Sequence, residues 1–165
     1  MRRLSCVLLL AAMIATAALV LATTAALPDR VASHFGPGGT ADGWMTRTGY
    51  RVFMLAFALG FVQLVAATVG LLPRLFPNAV NVPNRAWWLA PERREATLAY
   101  LAGHACRLGV LIEAPLAGVH LLVLEANHAA PPRLATVPFV AMLAALLVLL
   151  GIWIAAIYRR FRAPG

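Results

Sequence analysis

The side chains able to do chemistry fall into two groups. The first is in HFGPGGTADGW, residues 34–44, where His34 and Asp42 stand eight positions apart. An imidazole and a carboxylate at that spacing make a metal site only with further ligands, because such sites take three or four. Glu113, His120, Glu125 and His128 are the candidates to join them, and Glu113 and His120 are seven apart, so they share one face of a helix. A metal-assisted enzyme would need His34 and Asp42 to converge with Glu113 or His120. The structural alternative is simpler: His34 and Asp42 bond each other or the loop backbone and fix its shape. No nucleophile–base arrangement or phosphate-binding loop stands out. The expectation is a protein that is not an enzyme, with no catalytic residue, metal or cofactor.

The second group is polar but embedded in apolar sequence: Gln63, Arg107 and Glu113, with His104 and His120 nearby. If a membrane begins near Thr97, Arg107 is about 15 Å in, near its midplane. An Arg there costs about 2.5–3.5 kcal/mol on insertion scales and must face protein or water. Gln63 at about 16 Å and Thr16 at about 18 Å reach a similar depth, so an Arg107–Gln63 contact is expected. Glu113 lies about 9 Å further along and about 120° around, which makes a direct Arg107–Glu113 pair awkward. Such a cluster either locks helix packing or lines a cavity for an ion or small substrate. A third outcome is an Arg107 that snorkels to the surface with His104 one turn below.

Membrane helices are what would position both groups. Of the 165 residues, 62% are hydrophobic and only 12% charged, about half the charge of a soluble domain. A water-soluble core of this size cannot bury so much apolar surface. Four apolar runs are each long enough to cross about 30 Å of hydrocarbon as a helix: residues 4–27, 52–73, 96–124 and 134–158. The fold class expected is all-α, a single integral membrane bundle of four transmembrane helices with an ordered extracytoplasmic Gly-rich loop. The outer loop is 28–51 and the inner loop 74–95. The net charge of +8 comes from 14 Arg, no Lys and six acids. Because those Arg residues flank the apolar runs, they read as membrane topology and not as a nucleic-acid surface.

Arg position sets orientation. With the N-terminus inside, nine Arg residues are cytoplasmic (Arg2, Arg3, Arg74, Arg85, Arg93, Arg94, Arg159, Arg160, Arg162) and four are outside (Arg30, Arg47, Arg51, Arg133). Both termini are therefore expected in the cytoplasm. The first run is read as a retained helix and not a cleaved signal peptide, because its apolar stretch is long for one. Cys6 and Cys106 both fall toward the cytoplasmic side, where a disulfide is not expected. Gly60, Gly70, Gly103, Gly109 and Gly118 are read as points of close helix approach. Pro73, Pro77 and Pro83 oppose a continuous helix through the inner loop. Pro91 suits the first turn of the third helix, with Glu92 at its positive end.

The outer loop has the makings of a shaped cap. Gly36, Gly38, Gly39 and Gly43 permit tight turns, Asp42-Gly43 is a turn signal, and Trp44 suits a membrane interface. Pro28, His34, Phe35, Gly39, Asp42, Gly43 and Trp44, just after a first apolar helix, resemble the signature of the "domain of unknown function 1648" family. VPNRAWWLAPERRE, residues 82–95, is similar to a stretch in some of its members, and the resemblance extends to about residue 100. The domain forms part of SdpI-type bacterial membrane proteins, some of which protect the cell from a secreted toxic peptide; no complete second domain of that type is recognised in the remainder. The resemblance implies an envelope protein of the bacterial inner membrane. Its partners would be the bilayer and, through His34, Phe35, Gly39, Asp42, Gly43 and Trp44, a peptide, lipid or membrane protein. The alternative expectation is a small transporter or channel subunit organised around Arg107 and Gln63.

Overall fold

The computed structural model describes residues 2–162. Helix α1 (Arg2–Thr23) continues through a short 3-10 turn. Strands β1 (Arg30–Phe35) and β2 (Ala41–Thr46) follow, then α2 (Arg47–Leu75), a one-turn α3 (Arg85–Trp88), α4 (Pro91–His128) and α5 (Thr136–Arg160). Four of these helices are long and apolar enough to cross a membrane. The four expected spans are thus present, with different ends.

The differences have local causes. Helix α2 begins at Arg47, not at residue 52, because Thr46 caps it: the Thr46 hydroxyl accepts from the Gly49 amide at 3.0 Å. It also runs past Pro73 to Leu75, since a proline in the last turns of a helix disrupts little that follows. Helix α4 does start at Pro91, with Glu92 in its first turn. Its 38 residues make it about 57 Å long, well beyond the hydrocarbon thickness. Pro115 lies inside it without ending it.

The loop after α1 is a β-hairpin. Its register pairs Arg30 with Thr46, Val31 with Met45, Ala32 with Trp44, His34 with Gly43 and Phe35 with Ala41. Ser33 and then Asp42 are the unpaired extra residues, one bulge on each strand. The turn is Gly36–Thr40, where Gly38 and Gly39 hold φ of 80° and 81°. Asp42-Gly43, read as a turn, lies inside β2 instead. The Gly38-Gly39 pair takes the turn because neither residue carries a Cβ that opposes its positive φ.

Helix α4 is the central post, and α1 runs parallel beside it. The contacts form a seam: Cys6 with Cys106, Leu9 with Gly109, Thr16 with Glu113, and Thr23 with His120. Leu9, Thr16 and Thr23 are spaced by seven, the interval at which a helix returns the same face to a nearly parallel neighbour. Gly109 lets the seam close, since a Cβ there would meet Leu9 at 2.7 Å. Gly70 faces Ala102 and Ala105 from α2, and Gly118 faces the Met142 sulfur from α5. Gly60 does not join this set. A Cβ on it would meet open space, and it lies in a π-helical turn, Phe57–Phe61, that interrupts α2.

Cys6 and Cys106 form a disulfide, with Cα atoms 5.1 Å apart. The expectation against one rested on compartment, which says nothing about distance; the seam brings the two residues together. No residue of α5 is buried, as suits a helix whose outer faces meet lipid, where apolar exposure carries no penalty.

Candidate functional site

The hairpin separates two sets of side chains. Val31, Phe35 and Met45 face down onto Val20, Leu27, Tyr50, Met54, Val123 and Leu124. Arg30, His34, Asp42 and Trp44 face out and are exposed. The His34 Nδ1 and Asp42 Oδ1 atoms lie 2.5 Å apart, with the side chains 75% and 51% exposed. In a regular ladder Asp42, next to His34's partner Gly43, would point to the other face. The bulge at Asp42 turns it to the same side as His34. Two glycines leave the room: a Cβ on Gly43 would meet the His34 Cβ at 2.7 Å, and one on Gly36 would meet Asp42 Oδ2 at 2.7 Å. Beside this pair the Arg30 guanidinium lies 5.2 Å from the Trp44 ring centroid, and Trp44 is 41% exposed.

The support beneath is tied at several points. The Asn127 side chain acts as a third strand's peptide group would: its Oδ1 accepts from the Ala32 amide at 2.8 Å and its Nδ2 donates to the Ala32 carbonyl at 3.0 Å. The same Nδ2 donates to Val123 O at 2.8 Å, which ties the hairpin to α4. At the turn, the Leu134 amide donates to Gly39 O at 2.8 Å and Arg133 Nε to Gly38 O at 3.2 Å. Gly39 needs both its positive φ and its missing side chain there, because a Cβ would lie 2.3 Å from the Leu134 carbonyl oxygen. At the base, Arg47 pairs with Asp29 at 2.7 Å. Asn127 had no place in the sequence reading; its only signal was an amide at a helix end.

The embedded polar residues do not gather into one site. His120, fully buried, takes Thr23 Oγ1 at 2.7 Å on Nε2 and the Tyr50 hydroxyl at 2.9 Å on Nδ1. The Thr23 hydroxyl already gives its hydrogen to Leu19 O at 2.7 Å, so it can only accept from His120. That assigns the proton to Nε2, makes Tyr50 the donor to Nδ1, and leaves the ring neutral and satisfied. His104 is built alike. Its Nε2 donates to Trp153 O at 3.1 Å, its Nδ1 accepts from Arg107 at 3.0 Å, and Trp153 Nε1 returns a bond to His104 O at 3.0 Å.

Arg107 therefore bonds His104 one turn away and not Gln63. The direction around the helix, which counting along the sequence does not supply, decides this. Gln63 opens onto a cavity of about 580 Å³ with Cys6, Met13 and Cys106, whereas Arg107 opens onto one of about 360 Å³ with Leu8, Leu149 and Trp153. Cys106 and Arg107 are consecutive, hence about 100° apart on α4, and α1 stands between the two directions. Thr16 lies higher than supposed, against Glu113. Glu113 is fully buried, and among the described residues neither of its carboxylate oxygens completes a hydrogen bond of ordinary geometry; Gln63 Nε2 likewise lacks one. Also among the described residues, no three His, Cys, Asp or Glu side chains gather where a metal ion could be held. His34, Asp42, Glu113 and His120 thus do not converge.

The family model named "domain of unknown function 1648" matches residues 8–60. That stretch holds most of α1, the whole hairpin and the first half of α2 through the π-helical turn. Gln63, Arg107, Glu113, His120 and Asn127 lie beyond it. No curated protein matches the chain, and no solved structure does.

Proposed function

We propose that this is a non-enzymatic envelope protein of a bacterial inner membrane. In this reading it is multi-pass, with both termini cytoplasmic, and its outer hairpin recognises a peptide, lipid or protein partner in the manner of SdpI-type immunity or sensing proteins. One observation carries the reading: Arg30, His34, Asp42 and Trp44 stand exposed on one hairpin whose backbone is tied to α4 and to the α4–α5 link. A preorganised surface loses little entropy on binding, and an aromatic with an adjacent cation and a carboxylate suits a peptide or headgroup. The family match covers this hairpin whole, which also favours it. The charge count, nine Arg residues on one side against four on the other, supports the orientation.

The rival, a transporter or channel subunit around Arg107 and Gln63, has less behind it because the two residues line separate cavities. The test is protection. Cells that make the protein should survive a secreted membrane-active peptide better than cells that lack it. Trp44→Ala and Asp42→Asn should abolish the protection while the protein still inserts in the membrane. Equal survival with and without the protein, or full protection by both variants, would overturn the reading.

A further inference from the structure

The strongest unassigned feature lies at the end of the bundle away from the hairpin. There α1, α4 and α5 line an open cleft of about 360 Å³ walled by Leu8, Val110, Leu111, Leu149 and Ile152, with Arg107 on its wall. Among the described residues, the half-buried guanidinium of Arg107 hydrogen-bonds only the Nδ1 of His104. That ring is neutral, because its Nδ1 faces a guanidinium that can only donate, so the nitrogen must accept; it supplies a lone pair and no charge. Tyr100 adds a ring face 5.7 Å from Arg107, and a second guanidinium, that of Arg160, lies 5.5 Å from the same ring.

Among the described residues, the ion pairs are His34–Asp42, Arg47–Asp29 and Arg74–Glu95. Neither Arg107 nor Arg160 belongs to one. Two cations thus lie within about 6 Å of one aromatic ring without an anion. The apolar slot opens beside Arg107, while Arg160 is exposed, stacks closest to Trp88 at 4.4 Å and does not line the slot. A half-buried charge without a counter-ion is costly and calls for one. Both parts of an anionic phospholipid are complementary to this arrangement: the phosphodiester to the Arg107 guanidinium, an acyl chain to the slot. Basic pockets between helices near a membrane surface bind anionic lipids by this logic.

We infer that the α1–α4–α5 cleft is a binding site for an anionic phospholipid of the leaflet away from the hairpin, with Arg107 holding its phosphate and Arg160, outside the slot, adding only to the positive field around it. The site is independent of the hairpin reading. The full chain, purified in neutral detergent and doped with phosphatidylglycerol or phosphatidylcholine, tests it by native mass spectrometry of the retained lipid. The wild type should retain phosphatidylglycerol preferentially. Arg107→Gln should lower that preference about tenfold, the scale of one lost charge-assisted hydrogen bond. Arg160→Gln should lower it by a smaller factor.

Leu149→Trp fills the slot with both charges intact and should also lose the lipid, while Arg107→Lys should keep most of it. These two variants carry the test if Arg107→Gln fails to fold. Equal retention of the two lipids overturns the inference. So does unaltered retention by Leu149→Trp, or competition by inorganic phosphate as strong as by the lipid, which would make the slot irrelevant.

Discussion

The hairpin surface and the α1–α4 seam use the same residue types to opposite ends. On the hairpin, His34 and Asp42 meet in the open, where water and salt screen the pair and it is worth at most about 1 kcal/mol. In the seam, His120 meets Thr23 and Tyr50 with no exposure at all, where a lost partner leaves a group nothing else can satisfy. Exposure decides what a polar group is for. The hairpin groups remain available to a ligand, while those of the seam hold α1, α2 and α4 in one arrangement. Glu113 departs from this pattern: it is as buried as His120 and has Thr16 beside it, yet neither carboxylate oxygen completes a hydrogen bond of ordinary geometry among the described residues.

Three substitutions probe the contrast, each read as thermal unfolding in detergent. His120→Ala should do most harm, about 3–4 kcal/mol, because it opens a cavity and orphans the Tyr50 hydroxyl. A loss below about 1 kcal/mol would mean that the Thr23–His120–Tyr50 chain does not hold the helices. Glu113→Leu should have the opposite sign, a gain on the order of 1–2 kcal/mol, since it nearly keeps the volume and removes a buried carboxyl lacking full hydrogen bonding. If that variant is destabilised, Glu113 has a stabilising partner and the contrast with His120 disappears. Asp42→Asn should change stability least, by less than about 1 kcal/mol, while the protection described above is lost. A large stability loss there would make the His34–Asp42 pair a structural clasp and blur the two regions into one.

The membrane character of the chain and the number of its spans were legible without coordinates, because hydropathy over some twenty residues is a local sum. Pro91 and Glu92 at the start of α4 were legible for the same reason, as was the special character of residues 34–44. The start of α2 was not, since RTGYR at residues 47–51 is polar, and only the Thr46 cap makes it helix. The strands escaped notice because a Gly-rich segment with two bulges has no clean alternation of apolar and polar residues. Asn127 escaped because its bonds go to a backbone 95 positions away.

For the embedded residues, counting along a helix yields depth, since each step rises by a constant amount. It placed Gln63 and Arg107 near one level, yet they line separate cavities on either side of α1. What counting cannot yield is the direction in which each residue meets a neighbour. That depends on how one helix is turned against the next, a property of the packed pair and of neither sequence segment alone. So composition and periodicity determined that this chain is built as four long apolar helices with a distinctive loop between the first two. Tertiary packing decided that Arg107 turns to His104, that Cys6 meets Cys106, and that His34 and Asp42 come to share one outward face.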